Sequence, residues 1–293
     1  MDAVLAQAAA RARGDVGARL AARLAGAAPA LASLEEACRH ALEGGKRLRG
    51  LMVLESAGLW DVPEEAALPA AAAIEALHAY SLVHDDLPAM DDDELRRGRP
   101  TVHVAFGEAT AILVGDALQA LAFEEVAAIR GVPAERALAL SARLAAAAGL
   151  RGMVGGQHWD LTIEAGAASG DLRAIAAMQA LKTGALFEWS ATAGAVLAGE
   201  DPKPLAAYAH ALGRAFQIAD DLLDATGDAA TVGKATGKDL AAGKATYVGT
   251  LGVEGARAEA GRLAAEACDA LAPFGARGDT LRLLARYTVS RDH

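Results

Sequence analysis

The chain has 293 residues, with 38 acidic and 28 basic side chains and a formal net charge of −10. That balance excludes nucleic acid as the main partner, because grip on a phosphate backbone needs a basic surface. It does not exclude a small diphosphate, since a local group of Lys and Arg can outweigh the global field.

Apolar residues make up 53% of the chain but aromatic ones only 4%. Much of the remainder is alanine, the best helix former, and runs of Val, Ile, Thr and Tyr are nearly absent. The expected fold is all-α, in one domain over 1–293. Cys38 and Cys268 are isolated, which fits no disulfide framework and points to a reducing cytoplasm. No run of about 18 uncharged apolar residues occurs, so no transmembrane helix is expected. Arg11, Arg13, Arg19 and Arg23 crowd the N-terminus without the serines of a transit peptide, so an amphipathic first helix is expected there.

In chain order, helices are predicted over 2–25, 31–43, 46–59, 64–87, 108–130, 133–148, 152–164, 171–199, 202–226, 246–252, 254–273 and 278–290. Pro29 and Gly44-Gly45 bracket the second, and Pro63 opens the fourth. Pro88 and Gly98-Arg99-Pro100 end the fourth. Asp171 is a candidate N-cap. Segment 227–245, with four glycines and Lys234, Lys238 and Lys244, reads as a flexible basic loop.

Two acid clusters interrupt this helical pattern: Asp85-Asp86-Leu87-Pro88-Ala89-Met90-Asp91 and Asp220-Asp221-Leu222-Leu223-Asp224. Each follows an apolar stretch, so each heads into the protein. Buried carboxylates are costly unless a cation neutralises them. Asp220 and Asp224 are i and i+4 and share a helix face, with Asp221 beside them. Asp85 and Asp91 would diverge on an unbroken helix, but Pro88 forces the chain out and lets Asp91 fold back. Oxygen ligands in this pattern suit magnesium, which keeps several waters and also takes substrate phosphates.

Cations complement the acids. Gly44-Gly45-Lys46-Arg47-Leu48-Arg49 sets two glycines before three cations at a helix start, an arrangement suited to an anion. Arg96-Arg97 follows the first acid cluster, and Lys182, Lys234 and Lys244 are further candidates. His84 is expected to hydrogen-bond structurally rather than to bind metal. No Ser-His-Asp or Cys-His arrangement supports nucleophilic catalysis. Gly155-Gly156-Gln157 carries no argument alone.

These segments, with Leu95-Arg96-Arg97-Gly98, Gly115-Asp116-Ala117-Leu118, Lys182-Thr183-Gly184 and Gln217-Ile218-Ala219-Asp220-Asp221, occur in order. From about residue 35 onward the chain resembles the trans-isoprenyl diphosphate synthases, closest to their bacterial farnesyl diphosphate synthase group. The resemblance implies a bundle of ten or more helices around a deep cavity, usually a homodimer. It implies condensation of isopentenyl diphosphate with an allylic diphosphate, assisted by two or three magnesium ions. Lys46, Arg49, His78 and Arg97 would hold isopentenyl diphosphate, and Arg96 the allylic diphosphate. Asp85, Asp86 and Asp91 would bind magnesium from one wall, and Asp220, supported by Asp221 and Asp224, from the other. Lys182, Thr183, Gln217, Lys234 and Lys244 would line the allylic site, where Thr183 and Gln217 could offer dipoles to a carbocation. Gly50 stands where that family usually has proline, a departure expected to loosen the loop holding Lys46 and Arg49.

Tyr80 and Ser81 precede Asp85 by five and four residues, about 6–8 Å along a helix. Tyr80 is bulky, while Ala76 and Ala73 deeper down are small. Tyr80 is therefore the expected floor that stops chain growth, and the resemblance associates an aromatic residue here with a C15 product. A geranyl or geranylgeranyl diphosphate synthase shares the chemistry and differs in product length. A terpene cyclase has no second diphosphate for Lys46 and Arg49 to hold. A non-catalytic helical subunit would not need two intact acid clusters.

Overall fold

The computed structural model describes residues 2–168, 170–226 and 247–290. Among them the chain is helical apart from loops and one two-stranded hairpin. The helices are α1 (Ala3–Leu24), α2 (Ala32–Leu42), α3 (Leu48–Gly58), α4 (Glu64–Asp85), α5 (Val102–Phe106), α6 (Glu108–Ala127), α7 (Ala134–Ala148), α8 (Met153–Glu164), α9 (Leu172–Gln179), α10 (Ala185–Ala198), α11 (Lys203–Thr226), α12 (Tyr247–Ala270) and α13 (Asp279–Ser290). The hairpin pairs β1 (Leu95–Arg96) with β2 (Arg99–Pro100).

Helix α4 runs through the middle. Fifteen of its 22 residues are buried, so it is apolar all round rather than amphipathic, as a central helix must be. Its alanines, Ala70 to Ala73 and Ala76, let α6, α3, α1 and α10 approach closely. Pro69 cannot bond back to the Glu65 carbonyl, and that carbonyl instead accepts from the Arg130 N–H at 3.3 Å. Helix α10 is equally enclosed. A methyl group at Gly194 would lie 2.3 Å from the Ser56 carbonyl carbon, so α3 and α10 cross there at backbone distance. The two large clusters of buried side chains lie on either side of this pair, one reaching α6 and α7, the other α1, α11 and α13. Bulky members such as Phe187 and Tyr208 each contribute about 1.5–3 kcal/mol by burial. A smaller cluster joins α11 to α12.

The stretch of α4 is long and apolar enough to cross a bilayer by composition, but 83% of it is buried among other helices. The run from Ala134 to Glu164 also passes on composition, yet it breaks between α7 and α8.

Several features depart from the predicted elements, among them α6, which ends at Ala127 rather than 130. Helix α4 ends at Asp85, two residues early. The hairpin and α5 were not foreseen. The span 171–199 is helical almost throughout, but Ala180–Gly184 forms one wider π turn between α9 and α10. The break expected near 253 is present as Gly252, at φ +68° inside α12.

Candidate active site

Helix α4 delivers the first acid cluster. The Asp86 N–H donates to the Leu82 carbonyl at 3.1 Å, the last helical bond, and Pro88 stops further turns. The Asp91 N–H then donates to the Asp85 carbonyl at 2.9 Å, so the chain doubles back as Pro88 requires. Burial pushes the Asp85 carboxyl up to about 7, opposed by Lys182 and reinforced by Asp91 and Asp86. Asp91 is raised too, chiefly by burial.

Facing them is the π turn. Lys182 donates to Asp160 of α8 at 2.6 Å, and Thr183 donates to Gln179 at 3.2 Å. The extra residue of a π turn re-aims the side chains on it, which is why such turns gather at functional positions. Gly156 makes the approach possible: a methyl there would lie 2.2 Å from the Lys182 backbone nitrogen.

Between these walls lies a cavity of about 510 Å³. Arg49, His78, Tyr80, Ser81, Asp85, Lys182 and Thr183 line it, together with apolar Leu87, Met90, Met153, Leu161 and Leu186. Tyr80 meets His84 edge-on at 5.1 Å. His84 hydrogen-bonds the Ile112 carbonyl at 3.1 Å, the structural role expected of it. Gly115 leaves the space its ring fills, since a methyl there would overlap the ring at 2.0 Å.

The cations are gathered at the start of α3. Gly44, Gly45 and Arg47 all have positive φ, which only glycine adopts without strain. The Arg97 guanidinium packs over Gly45, where a methyl would sit 2.6 Å from it. Arg97 and Gly98 both have positive φ and make the two-residue turn of the hairpin. Beneath the cations lies Glu75, buried on α4. It accepts from the Gly50 N–H at 2.8 Å and approaches Arg47 at 3.7 Å. A proline at 50 could not donate, so glycine here ties the loop down rather than loosening it.

Arg49 lies 4.8 Å over the Phe187 ring. Burial lowers its pKa to about 10, while the Glu75 and Asp220 charges support its charged form. The Asp220 charge thus reaches the cation cradle from α11. His78 is driven well below the usual imidazole range by burial and by Arg49, Arg97, Arg96 and Arg47, so it is neutral at pH 7. Lys46 lies 3.4 Å from the Tyr287 hydroxyl on α13.

The residues expected to share one cavity are divided. Asp86 is clasped by Arg96, with Nε–O distances of 2.7 and 2.9 Å. This pair and Arg97 line a second cleft of about 330 Å³ with Gly44 and Gly45. Gln217 lines a third cavity, about 430 Å³, which also borders the π turn. Its amide donates to Asp221 at 2.9 Å, and Asp221 also accepts from the Tyr247 N–H at 3.1 Å. Asp221 therefore ties α11 to the start of α12. The Asp224 side chain, Lys234 and Lys244 lie outside the described residues. Sequence reasoning missed Glu75 and Asp160, and it quoted Gln157 within the Gly155-Gly156-Gln157 segment without giving it a role. A lone Glu in an alanine-rich stretch was a usable signal for Glu75. Asp160 and Gln157 follow the Gly155-Gly156 pair, whose meaning appears only once Lys182 is beside it.

An all-helical bundle of this kind, with acidic and basic side chains around an apolar cavity, has the isoprenoid synthase fold. The chain belongs to the polyprenyl synthetase family, whose model matches residues 31–270. It is 48% identical over 256 residues to a probable farnesyl diphosphate synthase of Sinorhizobium fredii, covering 85% of this chain and 76% of that one. It is 44% identical over 261 residues to the farnesyl diphosphate synthase of Escherichia coli, covering 86% and 87%. The apo crystal structure of an FPP/GFPP synthase from Zymomonas mobilis superposes with a TM-score of 0.90 at 44% identity, covering 98% of this chain and all of that one. This chain is accordingly a trans-prenyltransferase that elongates prenyl chains.

Proposed function

We propose that the enzyme condenses isopentenyl diphosphate with dimethylallyl and then geranyl diphosphate to make farnesyl diphosphate. The observation that carries this reading is the shared cavity: Asp85, Lys182 and Arg49 stand on its walls, and Tyr80 and Ser81 line it too.

Magnesium fits the residues present. Burial and mutual repulsion oppose ionisation of Asp85 and Asp91, and a divalent cation relieves both effects. Among the described residues no three His, Cys, Asp or Glu side chains are grouped as a metal site. Asp85, Asp86 and Asp91 would hold the ion from the end of α4 and the loop that follows, and Asp220, with Asp221 and Asp224, from α11. When bound, two or three such ions would supply charge neutralisation at the leaving diphosphate.

The chain's own groups do the rest. Lys182 and Arg96 balance charge as the allylic C–O bond breaks and its electron pair leaves with the diphosphate. Thr183 and the apolar lining keep water from the cation. Lys46, Arg49, Arg97 and neutral His78 hold isopentenyl diphosphate so that its double bond attacks the allylic carbon. No protein base stands out, and the released diphosphate takes the proton lost from the new cation. Gln217, Lys234 and Lys244 complete the allylic side in this reading.

Chain 1–293 is one domain and works in the cytoplasm, consistent with Cys38 and Cys268 being free thiols. A homodimer is included, as the family resemblance implies, and the described surface exposes large apolar side chains such as Leu113 (55%) and Leu138 (71%). Product length tests the central claim. Purified protein with magnesium, isopentenyl diphosphate and geranyl diphosphate should release C15. Tyr80→Ala should shift product toward C20, and an unchanged C15 product in that variant rejects Tyr80 as the floor.

A further inference from the structure

The hairpin that presents Arg96 and Arg97 has two residues per strand, with Leu95 opposite Pro100 and Arg96 opposite Arg99. A hairpin this short is marginal in water, and like charges opposite each other push its strands apart. Groups outside it must therefore fix it. Asp86 takes Arg96, and the Thr101 N–H closes the open end on the Glu94 carbonyl at 3.0 Å. A further anchor lies at the end of α2. Glu43 pairs with Arg99, and His40 meets the hairpin twice. Its Nε2 lies 2.8 Å from the Pro100 carbonyl oxygen, and its Nδ1 lies 3.0 Å from an Arg99 guanidinium nitrogen. Phe106 of α5 meets the imidazole edge-on at 5.4 Å.

These contacts fix the state of the ring. A guanidinium only donates and a carbonyl only accepts. Nδ1 must therefore accept while Nε2 carries the proton, so His40 is neutral and held in one tautomer. A carboxylate could accept from Arg99 but not donate to Pro100, and a lysine could do only the reverse. Beside this anchor the Arg97 guanidinium packs over Gly45 and donates to the Glu43 carbonyl at 3.4 Å. His40, Glu43, Gly45 and Arg97 line one cleft, so the pose of Arg97 depends on how closely the hairpin is held to the end of α2.

We infer that His40 is a positioning residue for isopentenyl diphosphate: as a neutral imidazole it pins β2 to α2 and so sets the reach of Arg97. This rests on the prenyl-transfer reading above, in which Arg97 holds that diphosphate. Arg96 has its own tether in Asp86, so the allylic side depends far less on His40.

The test uses the full chain with magnesium, geranyl diphosphate and isopentenyl diphosphate. In His40→Leu the KM for isopentenyl diphosphate should rise about tenfold, which is about 1.4 kcal/mol. Both kcat and the KM for geranyl diphosphate should stay within about twofold. His40→Gln keeps a donor and an acceptor at the end of the side chain and should return the raised KM to within about threefold of the parent. Arg99→Met removes one partner and should raise the same KM. Combined with His40→Leu it should give less than the product of the two single effects, because the pair shares a contact. A KM for isopentenyl diphosphate within twofold of the parent, in folded His40→Leu or in Arg99→Met, overturns the inference. So does an equal rise in both KM values, or a Gln variant no better than the Leu variant, either of which would make His40 a packing residue. An Arg97→Met variant with parental KM would instead sink the assignment of that diphosphate to Arg97, and the inference with it. A parent protein inactive on both diphosphates would sink the prenyl-transfer reading itself.

Discussion

Replacing Gly156 by alanine adds one methyl group where α8 meets the π turn. The new carbon would lie 2.2 Å from the Lys182 nitrogen, 2.6 Å from its Cα and 2.9 Å from the Leu181 carbonyl carbon. Ordinary contact begins at 3.4 Å, so the two backbones must separate by about 1 Å. Both sides are main chain, and no side chain can rotate away. Overpacking of this kind costs about 1–3 kcal/mol, which lowers Tm by roughly 2–10 °C for a chain of this size. The activity loss should be larger. Lys182 and Thr183 ride on the displaced turn, and a 1 Å misplacement near reacting groups costs on the order of 100-fold in rate. The assay is product formation with saturating substrates, beside a thermal melt. Gly14→Ala in α1 is the control, since nothing lies within 4 Å of its added methyl, and it should gain about 0.5–1 kcal/mol. A Gly156→Ala enzyme with parental turnover and Tm would refute the idea that glycine is needed for the turn to reach its place.

Asp85→Ala should lower turnover by about 10³-fold or more, while the melt of the metal-free protein stays the same or rises. Near-normal rates would reject a metal role for Asp85. The pKa of Asp85, raised to about 7, has two consequences of definite sign. Magnesium displaces its proton, so affinity measured by calorimetry should climb up to about tenfold per pH unit below pH 7 and level off above it. In the metal-free protein the folded state holds that proton more tightly than the unfolded chain. The stability this group contributes is therefore fully present below about pH 4 and is lost as pH rises from there to about 7, the opposite of a salt-bridged aspartate. Glu75→Leu should cost about 3–5 kcal/mol, since Arg47, Arg49 and Arg97 lose their buried counter-charge, and should raise KM for isopentenyl diphosphate more than it lowers kcat. Unfolding in urea and steady-state kinetics check the two parts. Gly50→Pro removes a donor from the same carboxylate and should lose about 1–3 kcal/mol.

Sequence reasoning recovered the helical class, most helix bounds and the two acid clusters, because these are local. Alanine-rich periodicity specifies helices without reference to the rest of the chain, and Pro88 dictates that Asp91 return toward Asp85 wherever the helix ends up. The glycines before Lys46 announced a tight, cationic loop for the same reason. What stayed hidden depends on a partner far along the chain. Gly156 reads as a weak helix residue until Lys182 lies against it, and Glu75 reads as a stray acid until three arginines gather above it. The π turn is one extra residue in an otherwise helical pattern, invisible to periodicity. The division of the acids and amides among three cavities was likewise decided only by packing, since Gln157 and Gln217 are chemically identical and differ in whether Asp221 is near enough to occupy one of them.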